Sequence, residues 1–423
     1  MDMQHRQYSA LERPVRRLRA IAGCVCLLAC PCFLHAGDTW AEPHPVRREA
    51  LTDGRDFDYN SEAFLDRLSY RYFSERPRAG EDGLRASGGS VTSSELYAQL
   101  FFRQTLTDDK GLNQILFRFQ QVEDFDGTAD RMGIGLGRYV VPSWRLALVG
   151  DVHGAKEETD IALESRWADG DTRRLRLAYI QPDFLFNSKT DDQSLRYEKE
   201  PETWFLHYRE YHEPGWLAEL AVNHSPNSHF IDSIRGIDVS GWQTRIMAAG
   251  AVPLNDWIVR LQYTVEWADR DYVFDQAAPP PLTAFDRDMR EVKLEAYTDA
   301  WELEPNFGIR HFRLTEEGWF GDNRNYSGRI NRNELTAFAG ISLPVSENSR
   351  TEPTVYVSTL YASHQFINNP RENHNDDEVI GKLMLPWRYT FDKESGATFT
   401  FALSTYLHKA AFGGGNVQVH WPF

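Results

Sequence analysis

From about Leu68 to Phe423, apolar and polar residues alternate along one short segment after another. A period of two puts successive side chains on opposite faces of an extended strand, so each segment has one apolar and one polar face. Trp257, Val259, Leu261, Tyr263, Val265 and Trp267 form one such stripe, and Val379, Leu383, Leu385, Trp387, Tyr389 and Phe391 line another. Leu335, Ala337, Ala339, Ile341 and Leu343 make a third, and Phe399, Phe401 and Leu403 a fourth. The final stripe is Val417, Val419, Trp421 and Phe423, interleaved with Asn416, Gln418, His420 and Pro422. A chain so patterned has to make sheet. Its closing stripe needs an apolar destination, since terminal residues otherwise fray in water. That destination is either the last strand of a soluble sandwich or the closing strand of a membrane barrel.

The first residues favour export. Arg13, Arg16, Arg17 and Arg19 precede an apolar run, 20–34, that is too short for a spanning helix but fits the core of a secretory signal. Residues 1–36 are therefore expected to be a signal peptide cleaved after Ala36, with Ala41 a second position. Leu27-Leu28-Ala29-Cys30 resembles a lipoprotein box, although Pro31 and Cys32 make an awkward start for a lipidated chain. All four cysteines (Cys24, Cys26, Cys30, Cys32) lie in this segment, so the mature protein would have no disulfide and no thiolate metal site. Residues 37–65 read as a periplasmic tail or a short plug, and 66–423 as one sheet domain.

A mean hydropathy of -0.53 excludes a bundle of membrane helices. It does not exclude a barrel, in which only alternate residues meet lipid. The connections argue for the barrel. Short turns fall at 107–110, 142–143, 169–171, 212–215, 253–256, 301–305, 345–352 and 392–396. Longer polar segments lie between them, at 75–93, 123–130, 153–159, 182–202, 223–241, 268–289, 315–332 and 364–377, and the last connection is 408–415. Alternating short and long connections belong to an antiparallel up-and-down β-barrel, and counting back from the end gives about 18 strands, with 16 the alternative. On this reading Leu261 faces lipid and would exclude an arginine, whereas Gln262 faces the lumen and would accept one.

Removing the basic signal, with its five arginines and two acidic residues, leaves 41 basic and 60 acidic side chains, a formal charge of -19. That argues against nucleic acid as a partner. The polar stripes run the other way. They carry Arg71, Arg103, Arg118, Arg145, Arg166, Arg174, Arg176, Arg209, Arg245, Arg260, Lys293, Lys382 and Arg388. Their acids are Asp151, Glu164, Glu219, Glu266, Glu291, Glu295 and Glu334. Arginine braces walls by bidentate pairing with carboxylates. Seven acids cannot neutralise thirteen bases pair by pair, and rings of arginine confer anion selectivity on pores.

The whole mature chain resembles a Gram-negative outer-membrane β-barrel of porin size, and its arginine-rich lumen resembles, more weakly, the exporters of anionic exopolysaccharide such as alginate. The first resemblance implies a multi-pass outer-membrane location, with lipid, lipopolysaccharide and the barrel-assembly machinery as partners and Val419, Trp421 and Phe423 as the assembly signal. The second implies a polysaccharide export system as a further partner. Neither implies a cofactor. A rim hydrolase is the alternative, because His224-Ser225-Pro226-Asn227-Ser228-His229 holds a nucleophile and a base on one segment. An occluded structural or surface-binding barrel is another. His364, His374, Asp376 and Asp377 offer metal-ligand chemistry without a diagnostic spacing, and no metal is predicted from them. Deleting Phe423 is expected to reduce insertion, measured as the folded protein recovered in the outer-membrane fraction; wild-type recovery would remove the assembly role from the terminal aromatic.

Overall fold

The computed structural model describes residues 82–90, 96–124, 127–151, 161–170, 172–181, 197–198, 202–213, 215–232, 236–275, 278–320, 326–367, 370–409 and 411–423. Among them, eighteen strands build one wall. They are β1 (Gly83–Ser90), β2 (Leu96–Thr107), β3 (Asn113–Asp124), β4 (Gly127–Val141), β5 (Trp144–Asp151) and β6 (Ile161–Asp169). Next come β7 (Arg173–Gln181), β8 (Thr203–His212), β9 (Trp216–Asp232), β10 (Ile237–Leu254), β11 (Trp257–Phe274) and β12 (Ala284–Tyr297). The wall ends with β13 (Asn306–Phe320), β14 (Tyr326–Gly340), β15 (Thr354–Phe366), β16 (His374–Asp392), β17 (Ala397–Tyr406) and β18 (Phe412–Pro422). Each strand pairs antiparallel with the next, and β18 returns to β1, from Gly83 opposite Pro422 to Ser90 opposite Gly415. The barrel is closed. Tyr197–Glu198 adds a short pairing to β9, and Leu343–Ser346 with Ser349–Thr351 forms a miniature hairpin between β14 and β15.

The outer face identifies the solvent. Leu136, Leu148, Leu163, Leu177, Leu261, Leu294, Ile309, Leu335, Val357, Leu385, Leu403 and Val417 are all exposed, and they form a belt around the wall. Water would not tolerate an apolar patch of that extent on a monomer, whereas lipid requires it. Aromatic residues gather along the short-turn rim, where Trp257 packs 5.4 Å from Trp301 and 5.3 Å from Phe307, and Phe391 packs 5.9 Å from Trp421. Phe423 follows the last strand; its amide donates to the Asp82 carbonyl at 3.3 Å and its ring lies 5.9 Å from Phe102.

All eight short turns lie on one rim. The first is closed by Asp108, whose carboxylate accepts from the Asn113 side chain at 2.6 Å and from the Leu112 amide at 2.8 Å; Gly111 supplies the positive φ. The Asn113 amide group and the two backbone amides hold that carboxyl below the usual range. On the opposite rim the described residues of the segments expected to be loops are mostly strand, while 153–159 and 182–196 lie outside the described residues. β10 and β11 have 18 residues each and β16 has 19, against the roughly 9–11 that cross a bilayer. Their outward rows beyond the apolar belt are polar: Arg290, Arg313, Asn333, Tyr361 and Asp377 share one row, and Asp286, Glu317, Arg329 and Gln365 a higher one. These strands continue into water, where an outward stripe needs no apolar residue and the alternation that marks a membrane strand disappears.

The start of the barrel also differs. β1 lies inside 75–93, which reads as a loop, because Gly83, Gly88, Gly89, Ser87 and Ser90 leave no apolar stripe. Gly89 is required by closure: a Cβ there would run into the Gly415 carbonyl oxygen across the seam. Arg71, the expected signal peptide and the 37–65 segment lie outside the described residues.

Leu261 is exposed in the belt, while Gln262 is buried and accepts from Arg260 at 3.1 Å. An arginine at 262 would therefore crowd a cation and replace a satisfied amide, so tolerance there is not expected after all. Leu261→Arg should destabilise the folded barrel by about 2–4 kcal/mol, because it places a cation in lipid, whereas Leu261→Ala should be milder. Urea titration of protein folded into lipid vesicles measures both, and equal midpoints would contradict the outward assignment.

Candidate functional site in the barrel lumen

Strand alternation dictates where the polar stripe goes. Arg103, Arg118, Arg145, Arg166, Arg174, Arg176, Arg209, Arg245, Arg260, Lys293, Lys382 and Arg388 all occupy the register opposite the apolar belt. What separates them is company.

From β8 to β14 the inward carboxylates are threaded between the cations. His207 Nε2 lies 2.8 Å from Glu219, and Arg260 reaches Glu295 at 3.2 Å, which Lys293 also meets at 3.0 Å. Arg287 joins Glu266 at 3.2 Å and Glu316 at 2.6 Å. Arg310 Nε donates to Glu291 at 2.9 Å while Nη1 reaches Glu334 at 3.2 Å, and Arg332 meets Glu334 at 3.0 Å. This wall is dry: the Arg260, Arg310 and Arg332 side chains are 2–3% exposed. Buried cations need partners of opposite sign, and here each has one. Met289, Phe312 and Leu314 pack among them.

From β2 to β7 the company changes. Arg145, Arg166 and Arg176 stand directly opposite one another on β5, β6 and β7, and His207 extends the row onto β8. Like charges placed opposite one another destabilise a sheet. One buried carboxylate, Glu164, offsets them. Its Oε1 accepts from Arg145 Nη2 and lies 2.9 Å from Arg166 Nε, and its Oε2 accepts from Arg176 Nε at 2.6 Å. Arg145 Nη1 also donates to Gln114 at 3.1 Å. Arg103 and Arg118 are paired in register on β2 and β3, and Arg103 lies 3.7 Å from Asp82 at the barrel start. Arg145 Nε and Arg166 Nη2 are buried atoms with no hydrogen-bond acceptor. The Arg103, Arg166 and Arg176 side chains nevertheless keep 20–23% of their surface accessible. Among the described side chains of β2–β7, Glu164 is the one inward carboxylate; the side chains of Asp124 and Asp151 are outside that set.

Lys382 and Arg388 belong to a third stretch. Lys382 is buried over the Tyr406 ring at 4.7 Å, amid Tyr356, Ile380 and Met384, and Arg388 stands opposite Arg350 and Thr400. Sequence reading missed Arg85, Arg287, Arg310 and Arg332, all buried and inward. Arg85, Arg287 and Arg332 fell in segments read as loops. Arg310 precedes Phe312 and Leu314, which are apolar yet inward, so the stripe there gives no sign of its facing.

Of the residues proposed for a rim hydrolase, His224 and Ser225 do not converge, and the side chains of Asn227, Ser228 and His229 lie outside the described set. His224 and Ser225 are neighbours on β9 and point to opposite faces, His224 Nδ1 pairing with Thr244 at 2.8 Å and Ser225 with Thr203 at 3.0 Å.

No protein-family model matches this chain, and no curated protein matches it. Solved structures do. The chain is similar to bacterial porins. It aligns with OccK8 (OprE) of Pseudomonas aeruginosa at 7% identity and a TM-score of 0.47, over 82% of this chain and 99% of that one. A BenF-like porin from Pseudomonas fluorescens Pf-5 aligns at 9% identity and a TM-score of 0.44, over 81% and 98%. A bacterial polysaccharide outer membrane secretin aligns at 12% identity and a TM-score of 0.39, also over 81% and 98%. The likeness is one of fold, and no side chain is transferred from these proteins.

Glu164→Gln would leave three guanidiniums facing one another around a neutral amide. Removing one partner of a buried ionic cluster costs about 3–5 kcal/mol, and the low end applies because two of the arginines touch water. Urea midpoints in lipid vesicles should fall accordingly; an unchanged midpoint would show that Glu164 does not hold the row.

Proposed function

We propose that this barrel is an outer-membrane channel whose solute path follows the β2–β7 wall and favours anions. The observation that carries the reading is the contrast between the two walls. On the dry wall, Arg260, Arg287, Arg310 and Arg332 are each held by a carboxylate and withdrawn from solvent, so they serve as bracing. On the wet wall, Arg145, Arg166 and Arg176 share one carboxylate and two of the three keep accessible surface. A positive surplus in a channel lowers the barrier to anions. The carboxylates Asp376, Asp377 and Glu378, at the far end of β16, act less on that path, because exposed charges are screened beyond about 8 Å at physiological salt. Export of an anionic polysaccharide is the narrower form of this reading: successive carboxylates of such a chain would exchange along the arginine row without any covalent step.

A second reading has its own support. Glu266, Lys382, Met289 and Met384 are fully buried, as expected of a lumen filled along part of its wall. Bilayer conductance separates the two. With an open channel, reversal potentials in a potassium chloride gradient should indicate anion preference, and oligouronates added on one side should block the current. Replacing Arg166 and Arg176 by Gln should move the preference toward cations, while Arg310→Gln should lower stability and leave selectivity alone. A cation-selective wild type would end the anion reading, and absence of single-channel steps would favour the filled barrel.

A further inference from the structure

The long-loop mouth of the β15–β16 hairpin holds a group of side chains that the lumen charges do not explain. His364 and His374 face each other across the two strands, with their rings parallel within 10° and centroids 4.3 Å apart. Asp376, two residues further along β16, projects from the same face, and its Oδ2 lies 3.8 Å from His374 Nε2. One ligand atom from each of the three side chains falls within 4.8 Å of the others. The outward neighbours in this part of the hairpin are Ser363, Asn375 and Asp377, so the site stands above the apolar belt, with His364 buried, Asp376 half-buried and His374 exposed. A cavity of about 580 Å³ opens beside it, lined by His364, His374, Asn373, Asn375, Glu317 and Arg329 among others.

We infer that His364, His374 and Asp376 form a binding site for a divalent transition-metal ion of the zinc type. Imidazole nitrogens with one carboxylate oxygen suit zinc, copper or nickel, whereas calcium and magnesium call for oxygen ligands. Ligands on a tetrahedral zinc sit at about 2.0–2.2 Å from the ion and hence about 3.4 Å apart, so side-chain rotation by roughly an ångström brings the three donors to bonding distance. The backbone already supplies the rest. A cross-strand pair and its i+2 neighbour on one face are fixed by the ladder, and a stacked histidine pair is within a ring rotation of converging on one ion. Three protein ligands leave a fourth position for water or for an oxygen of a passing solute. The ion would tie the two strands of the hairpin together at the mouth, beyond the lipid.

Isothermal titration of zinc chloride into the full barrel, folded in detergent, tests this. One equivalent should bind to the wild type, and magnesium chloride should give no comparable heat. His374→Ala and Asp376→Asn should each weaken zinc at least tenfold, while His311→Ala, which alters an outward histidine paired with Asn333 at 2.8 Å, should leave it unchanged. His374 is exposed and Asp376→Asn is isosteric, so both variants should keep the heat-modifiable gel mobility of the folded barrel. Absence of zinc binding to the folded wild type would overturn the site. So would affinity that survives both substitutions, or equal binding of magnesium.

Discussion

Hydrocarbon offers no hydrogen bonds, and the whole design follows from that. A strand edge in lipid would leave a column of amides and carbonyls without partners, at several kcal/mol for each. The pairing of β1 with β18 removes the edge, and every other feature depends on this seam being made. It explains why a strand as poor in apolar residues as Gly83–Ser90 belongs to the wall: its contribution is backbone. Its glycines let the neighbouring backbone approach where a side chain would collide, so the feature that hides β1 from a hydropathy reading is the one that lets the barrel shut.

Closure also forces half the strand residues inward, and the polarity of that half is then an electrostatic problem. The two walls solve it differently. Where side chains pack against one another and exclude water, from β8 to β14, every described inward carboxylate is engaged by at least one cation, and the like-charged register pair Lys293 and Arg310 is held by two different acids, Glu295 and Glu291. Where water reaches the wall, from β2 to β7, guanidiniums can stand in rows with far less compensation, because solvent screens their repulsion. The strongly acidic total charge says nothing of this. It belongs to loops, turns and outward rows beyond the lipid, while the inward face near Glu164 is basic.

The sequence was legible wherever lipid imposed a rule. The belt around Leu261 and the closed antiparallel wall of eighteen strands follow from alternation with an apolar partner row, and both appear in the structure; the turn expected at 345–352 is instead a miniature hairpin. Legibility ended where lipid did. Strands β10 to β16 continue past the belt with polar residues on their outer face, so Arg287 and Arg332 looked like loop residues although both are buried in the ladder of ion pairs. Facing was also unreadable where the lumen is apolar, as at Phe312 and Leu314, since there the outward neighbours His311 and Arg313 are polar and the apolar stripe changes face within one strand. The division into a dry and a wet wall could not be seen at all. It depends on which distant strands lie near one another across the barrel, and no local pattern encodes that.

The strands that outrun the bilayer change what the cell surface presents. A porin-sized barrel with long floppy loops offers its surroundings short linear peptides. Here much of the emergent chain is ladder, carrying outward pairs such as Arg290 with Asp288 and Arg329 with Glu317 at fixed spacing. Such a rim is a collar whose outward charge pattern is set by strand register. Recognition of that collar would be conformational, lost on unfolding and not reproduced by any excised segment.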